Sequence, residues 1–108
     1  MNIGQIAKMA QQMQTQMAQA QDELKETTLE ATAGGGAVRI VITGAQEVRS
    51  VEIDPSAVDA DEVEMLQDLV LSAGNEAISR SKELERERMG RIAGGMGIPG
   101  MPGLPGMG

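Results

Sequence analysis

The spacing of the hydrophobic residues changes twice along this chain of 108 residues. Over residues 5–26 they recur every three or four positions, which keeps them on one side of an α-helix. Between Leu29 and Ile53 they alternate with polar residues, a pattern typical of β-strands. From Leu66 onward the spacing of three and four returns. The sequence therefore predicts a helix, a group of strands and a second helix, in one domain with a modest core.

The first predicted helix, residues 5–26, has a narrow apolar stripe that is rich in methionine. At 1.5 Å per residue it would be about 33 Å long, which is more than short strands can cover. Part of the stripe is therefore expected to pack on the chain's own sheet and part against a partner helix in a dimer. The stripe consists of Ile6, Met9, Met13, Met17, Ala20 and Leu24.

Three short strands are predicted next. The first places Leu29, Ala31 and Ala33 on one face, and the second runs from Ala37 to Thr43. Glycines 34–36 between them favour a hairpin turn over a phosphate-binding loop, because that loop needs Gly-Lys-Ser/Thr at the start of a helix. The third strand, after a turn at 44–46, is expected to share Arg49, Val51 and Ile53 on one face. Connections this short predict an antiparallel meander.

The second helix is expected to begin near Asp59, because Asp59 and Glu62 are spaced like a capping box. It should run to about Met89, with Gly90 as its C-cap. Its apolar stripe includes Leu66, Leu69, Val70, Ala73, Ala77 and Leu84.

The composition changes at residue 90. Residues 90–108 include eight Gly and three Pro, which predicts a flexible tail after a single domain at 1–89. Its apolar residues Ile98, Met101, Leu104 and Met107 are spaced so that they could dock into a partner groove.

Val41 points away from Val38, Ile40 and Ile42, so both faces of the central strand are partly apolar. Two helices cannot easily cover both faces of a three-stranded sheet. The pattern therefore predicts an α+β fold, helix–three-stranded antiparallel meander–helix (αβββα), that buries its surplus apolar surface in a symmetric homodimer.

The chain contains no Cys, His, Trp, Tyr or Phe. It therefore lacks the thiol nucleophile, the commonest general base and the commonest metal ligands. Acidic residues could still form a carboxylate or Mg²⁺ site, but they are scattered through polar stretches, as on a solvated surface. We predict a protein that is not an enzyme, with no cofactor, metal or small-molecule substrate. No stretch approaches the roughly 20 apolar residues of a membrane span, and the N-terminus does not resemble a signal peptide, so the cytoplasm is expected.

The missing aromatic rings also exclude stacking on single-stranded bases, so a nucleic-acid partner would be a duplex held through its phosphates. The net charge of −7 opposes such binding on average. Residues 80–91, however, carry five basic residues and three glutamates, for a net charge of +2. Two interpretations remain open. One is a solvated helix with Glu83–Arg86 and Glu85–Arg88 pairs, which the charges alone favour; the other is a phosphate-binding surface that a dimer would double.

Several separate stretches, in this order and spacing, resemble the YbaB/EbfC family of bacterial nucleoid-associated proteins. They are Lys8-Met9-Ala10-Gln11-Gln12-Met13-Gln14, Gly34-Gly35-Gly36-Ala37-Val38, Val51-Glu52-Ile53-Asp54-Pro55-Ser56, Glu64-Met65-Leu66-Gln67-Asp68-Leu69-Val70 with Asn75, and Ile98-Pro99-Gly100-Met101. The resemblance implies an αβββα homodimer joined through the sheet region, with helices that project like tweezers.

The resemblance also implies double-stranded DNA binding that coats or compacts the nucleoid and influences gene expression. Charged helix residues of the family are thought to contact DNA, and they correspond here to Lys8, Lys25, Arg80, Lys82, Arg86 and Arg88. The alternative function is a non-catalytic protein-interaction scaffold that uses the methionine-rich helix and the C-terminal tail.

Overall fold

The computed structural model describes residues 2–95, and these form two helices and three strands in the predicted αβββα order. Helix α1 spans Ile3–Glu26 and helix α2 spans Val63–Gly95. The strands between them are β1 (Thr28–Ala33), β2 (Val38–Thr43) and β3 (Val48–Ile53). The strand order in the sheet is β1-β2-β3, and both pairings are antiparallel, so the predicted meander is confirmed.

The turn between β1 and β2 is a hairpin, as predicted. Gly34, Gly35 and Gly36 all have positive φ (64°, 66° and 97°), which side chains with a Cβ rarely adopt. Gly34 also lies against Leu69 of α2, because an added Cβ would approach both methyl carbons of Leu69 to 3.0 Å.

The core lies between the sheet and α2. The residues Ala31, Val38, Ile40 and Ile42 of β1 and β2 are buried against Ala73 and Ala77 of α2, with Leu66, Leu69 and Val70 packed at the margin. The stripe predicted for the second helix is thus the one that meets the sheet. Small alanines on both sides let the helix approach the strands closely, which suits a core without aromatic rings.

Helix α2 does not cover strand β3. Val51 pairs with Ile40, and Ile53 pairs with Val38, so their side chains share the face on which α2 packs. Val51 is nevertheless 51% exposed and Ile53 is 38% exposed. A helix about 10 Å wide covers roughly two strands spaced about 4.8 Å apart, and here those are β1 and β2.

A bulge in β3 corrects one prediction. The register shifts between Val41 and Ile42, so Val48 opposes Ile42 and Arg49 becomes the extra residue. The buried positions of β2 therefore pair with Val48, Val51 and Ile53. The prediction that Arg49 shares a face with Val51 and Ile53 is wrong. A bulge of this kind leaves no periodic signal, because it changes the register within a strand.

The predicted bounds of the second helix were also wrong at both ends. Asp59 accepts a hydrogen bond from the Asp61 amide (2.9 Å) in a 3-10 turn at Ala60–Glu62, and α2 starts only at Val63. At the other end the helix continues through Gly90 to Gly95, so Gly90 is not its C-cap. The predicted tail 90–108 therefore begins with helical residues, and its remaining part, 96–108, lies outside the described residues.

The buried residues of helix α1 lie near its C-terminal end. Leu24 is 1% exposed and Ala20 is 8% exposed, whereas Ile6 is 53% exposed and Ile3 is 86% exposed. The helix begins with a capping box that was not predicted, in which the Gln5 amide donates to Asn2 Oδ1 (2.7 Å). The molecule is accordingly elongated, measuring 69 × 29 × 16 Å.

Two glycine substitutions test this fold. Gly90 lies inside α2 and nothing is within 4 Å of an added Cβ, so Gly90→Ala should raise the free energy of unfolding by about 0.5–1 kcal/mol.

At Gly44 an added Cβ would lie 2.6 Å from Leu24 Cδ2 and 3.1 Å from Leu24 O, so Gly44→Ala should lower the free energy of unfolding by about 1–3 kcal/mol. Chemical denaturation at one protein concentration measures both. A destabilising Gly90→Ala would mean that the helix ends there after all.

Candidate nucleic-acid interface

The N-terminal part of α1 and the C-terminal part of α2 run side by side beyond the sheet. We call residues 2–21 and 80–95 the helical arm, and residues 22–79 the body. The arm carries six basic and three acidic residues, for a net charge of +3, whereas the body carries three basic and thirteen acidic residues, for a net charge of −10. Folding thus concentrates positive charge in the arm of an acidic chain.

Lys82 and Arg86 lie in a groove between the two helices of the arm. Both side chains are exposed, and within residues 2–95 neither has a carboxylate oxygen within 4 Å. The groove has a volume of about 480 Å³. It is lined by Met17, Gln21, Gln46, Lys82, Glu85, Arg86 and Met89. The two cations are therefore available to an external anion.

Arg80 and Arg88 are held by other parts of the chain. Arg80 Nη1 donates to the backbone oxygen of Glu30 (2.6 Å), and its Nε lies 3.9 Å from Glu76 Oε1. Arg88 Nη1 lies 3.6 Å from Glu23 Oε2, which links α2 to α1. These two cations support the fold as well as the charge of the arm.

Lys8 and Lys25 lie away from the groove. Lys8 borders a different concavity on α1, with Gln11, Gln12, Thr15 and Gln16. It is nine residues from Met17, which places the two about 180° apart around the helix. Lys25 belongs to the body and lies 3.9 Å from Asp22 Oδ1. The structure therefore brings Lys82 and Arg86 together but leaves Lys8 and Lys25 on other surfaces.

The expected i,i+3 pairs within α2 do not form in the described part of the chain. Glu83–Arg86 and Glu85–Arg88 are absent there, whereas Arg91 Nη2 lies 2.6 Å from Glu87 Oε1. Arg88 pairs instead with Glu23 across the helix interface. Neither expected pair is present in this part of the chain, because Arg88 has a tertiary partner and Arg86 has no carboxylate oxygen within 4 Å.

The face of the sheet away from α2 is polar. Arg39 donates to Glu52 Oε2 from Nη2 (2.6 Å) and to Glu30 Oε1 from Nη1 (3.3 Å), which ties all three strands together. The hydrogen bond with Glu52 and the charge of Glu30 raise the pKa of the Arg39 guanidinium above its ordinary value. This cation is thus neutralised by its neighbours, and Val41 lies on a mainly polar surface.

A large apolar surface lies on the opposite side, along β3 and the adjacent flank of α2. Arg80 marks the β1 side of α2, and Leu71 and Ile78 lie about 160–180° around the helix from it, toward β3. Their exposed fractions are 63% and 41%. We call Val48, Val51, Ile53, Leu71 and Ile78 the β3 patch. The sequence pattern missed it because alternation does not show which strand a helix covers.

Two absences bear on alternative functions. No helix between residues 2 and 95 is both long and apolar enough to cross a bilayer. In the same span no three His, Cys, Asp or Glu side chains are grouped as metal ligands would be.

The fold and the arm define a class of protein: a small αβββα scaffold that carries a basic pair of helices on an acidic body. The model of the YbaB/EbfC DNA-binding family matches residues 1–96, and the chain belongs to that family. It is a DNA-binding family rather than an enzyme family, in agreement with the sequence analysis.

Relatives of high identity share nearly the whole chain. A nucleoid-associated protein of Acetivibrio thermocellus is 50% identical over 96 residues, covering 89% of this chain and 85% of the relative. One from Chloroflexus aurantiacus is also 50% identical over 96 residues, covering 89% and 96%. The crystal structure of an uncharacterised protein from Helicobacter pylori has a TM-score of 0.74 at 24% identity and covers 89% of this chain and 97% of that one. That likeness supports the fold.

Proposed function

We propose that this protein binds double-stranded DNA as a homodimer, through the helical arms, and thereby affects nucleoid organisation and gene expression. The observation that carries the proposal is the separation of charge between an arm of net +3 and a body of net −10. Salt at physiological strength screens charges beyond about 8 Å, so a phosphate beside the arm responds mainly to the arm.

Lys82 and Arg86 are the proposed principal contacts. Their side chains border an open groove and are not neutralised by a carboxylate within 4 Å in the described chain. Lys8, Arg80 and Arg88 add to the positive field of the arm, and Lys25 contributes less because it lies in the acidic body. Without aromatic rings to stack on bases, contacts of this kind read little sequence.

A dimer is proposed because the β3 patch is apolar and uncovered. Such a surface is buried most simply against the same patch of a second copy, since a two-fold interface is self-complementary. A dimer also presents two arms, which doubles the number of phosphates held at once. The names of the relatives agree with this function and with a place in the nucleoid of the cytoplasm.

Charge reversal at Lys82 tests the DNA contact. With two phosphates held per arm, the slope of log affinity against log salt should be about −3.6 for the dimer. Lys82→Glu should weaken binding about tenfold or more and flatten that slope, and adding Arg86→Glu should weaken binding further. A salt series of duplex retardation or fluorescence anisotropy measures both quantities.

Lys25→Glu is the matched control, because it changes the net charge equally on an exposed side chain of the body. Its effect on affinity should be small. Equal losses for Lys25→Glu and Lys82→Glu would show that net charge matters rather than the arm. A wild-type protein that binds no duplex at low salt would refute the proposed function.

Val51→Asp tests the dimer. The substitution adds a charge at the centre of the β3 patch, where burial of an unpaired carboxylate is costly. The mass in solution should fall from that of two chains to that of one, and DNA affinity should fall with it. Ser50→Asp adds the same charge on the other face of β3 and should leave the mass unchanged. A dimeric Val51→Asp protein would place the interface elsewhere.

A protein-interaction scaffold is the second candidate, and the exposed stripe on α1 favours it. Ile3, Ile6 and Met9 are 86%, 53% and 38% exposed in a flexible, methionine-rich surface. A partner retained after nuclease treatment, and lost when Ile6 and Met9 are changed to serine, would support this function. Loss of all partners with nuclease treatment would support DNA binding.

A further inference from the structure

The turn between β2 and β3, residues 44–47, is the place where both helices meet the sheet. Ser81 of α2 is fully buried there, as is Thr43 at the end of β2. Ser81 Oγ donates to the backbone oxygen of Thr43 (2.6 Å). It accepts from the Gln46 amide (3.1 Å) and from Gln46 Nε2 (3.0 Å). One hydroxyl therefore joins α2 to the turn by three hydrogen bonds.

Gln46 adopts an unusual conformation to make these bonds. Its φ is +60°, and it is the one residue other than glycine with positive φ between residues 2 and 95. A residue with a Cβ pays a conformational cost in this region, and such positions often have a functional reason. The side chain also donates from Nε2 to the backbone oxygen of Gly44 (3.1 Å), which holds it across the turn.

The same turn also fixes α1. The Gly44 amide donates to the backbone oxygen of Leu24 (2.9 Å), and Leu24 packs so closely that Gly44 has no room for a Cβ. Toward the tip of the arm both helices extend past this end of the sheet, where Leu84 and Glu87 of α2 still border Leu29 of β1. The turn is thus the base of the arm.

We propose that Ser81 and Gln46 are positioning residues that set the direction of the helical arm and hence the placement of Lys82 and Arg86. Ser81 directly precedes Lys82, and Gln46 lines the same groove as Lys82 and Arg86. The role in DNA binding rests on the function proposed above; the role in holding the arm does not.

The length of the arm makes a small change at its base important. Lys8 is sixteen residues from Leu24, or about 24 Å along the helix. A tilt of about 10° at the base would move Lys8 by about 4 Å and Arg86, five residues beyond Ser81, by about 1 Å. A phosphate contact needs a donor–acceptor distance of about 2.7–3.2 Å, so an arm whose direction varies would hold fewer phosphates at the same time.

The test combines a distance measurement with DNA affinity. Because the chain has no cysteine, spin labels can be placed at Gln12→Cys on the arm and Thr32→Cys on the sheet. Labelled chains diluted into excess unlabelled chains report the distance within one chain by double electron–electron resonance. Ser81→Ala should broaden the distance distribution and weaken duplex binding about threefold to tenfold.

Two further variants separate positioning from general stability. Gln46→Gly removes the side chain yet accepts the positive φ, so it should broaden the distribution without straining the turn. Val38→Ala lowers stability by opening space in the core, and it should leave both the distribution and the DNA affinity unchanged.

The outcomes are distinguishable. A narrow distribution for both Ser81→Ala and Gln46→Gly overturns the proposal, and so does a broad one with unchanged DNA affinity. A broad distribution for Val38→Ala as well would make the effect one of stability, which also overturns it. If the wild-type protein binds no duplex, the proposed function fails, and the distance distributions alone decide whether this turn holds the arm.

Discussion

The packing of α2 on β1 and β2 is the interaction on which the rest of the structure depends. Ala73 and Ala77 are buried in one cluster with Ala31 and Ile40, and the chain has no aromatic ring to extend the contact. One helix of ordinary width covers two strands, so the apolar face of β3 stays open. The same helix is longer than the sheet, so its last turns project with α1 as the arm. The uncovered patch follows from the width of α2, and the arm follows from its length.

The separation of charge gives this acidic protein one basic surface, the helical arm. The net charge of −7 determines the electric field of the protein at long range, and salt screens that long-range field. Near the arm, the local charge and the carboxylates within contact distance decide the interaction with an anion. Arg39 and Lys82 illustrate the difference, because the first is surrounded by Glu30 and Glu52 and the second borders an open groove. A count of basic residues does not distinguish the two.

Much of the fold was predictable because helices and strands repeat with fixed local periods. The stripe from Leu66 to Ala77, the glycine hairpin and the meander were all predicted and are all present. The bounds of α2 were predicted less well. Gly90 lowers helix propensity by about 1 kcal/mol, but it lies between Met89 and Ile92, both partly buried, and that packing outweighs the local preference.

The candidate site was predictable only in part, for a different reason. The six cations were taken from the family resemblance, and the sequence did not reveal which of them other parts of the chain hold, because two of those contacts join residues far apart along the chain. Glu23 is 65 residues from Arg88, and Glu30 is 50 residues from Arg80, yet both pairs are in contact. Ser81 and Gln46 gave no signal at all, since a buried serine and a glutamine in a turn are ordinary residues until they meet.

The sequence by itself determined the order of the elements, the absence of stacking and thiol chemistry, and the total charge, because composition and local periodicity are properties of the chain alone. The tertiary structure decided which cations are neutralised, which strand stays uncovered and where the arm leaves the sheet. These depend on distances through space between residues that the sequence places far apart. The hydrophobic spacing thus predicted the helices and strands of this protein, and the way α2 packs on the sheet determined the surfaces that they present.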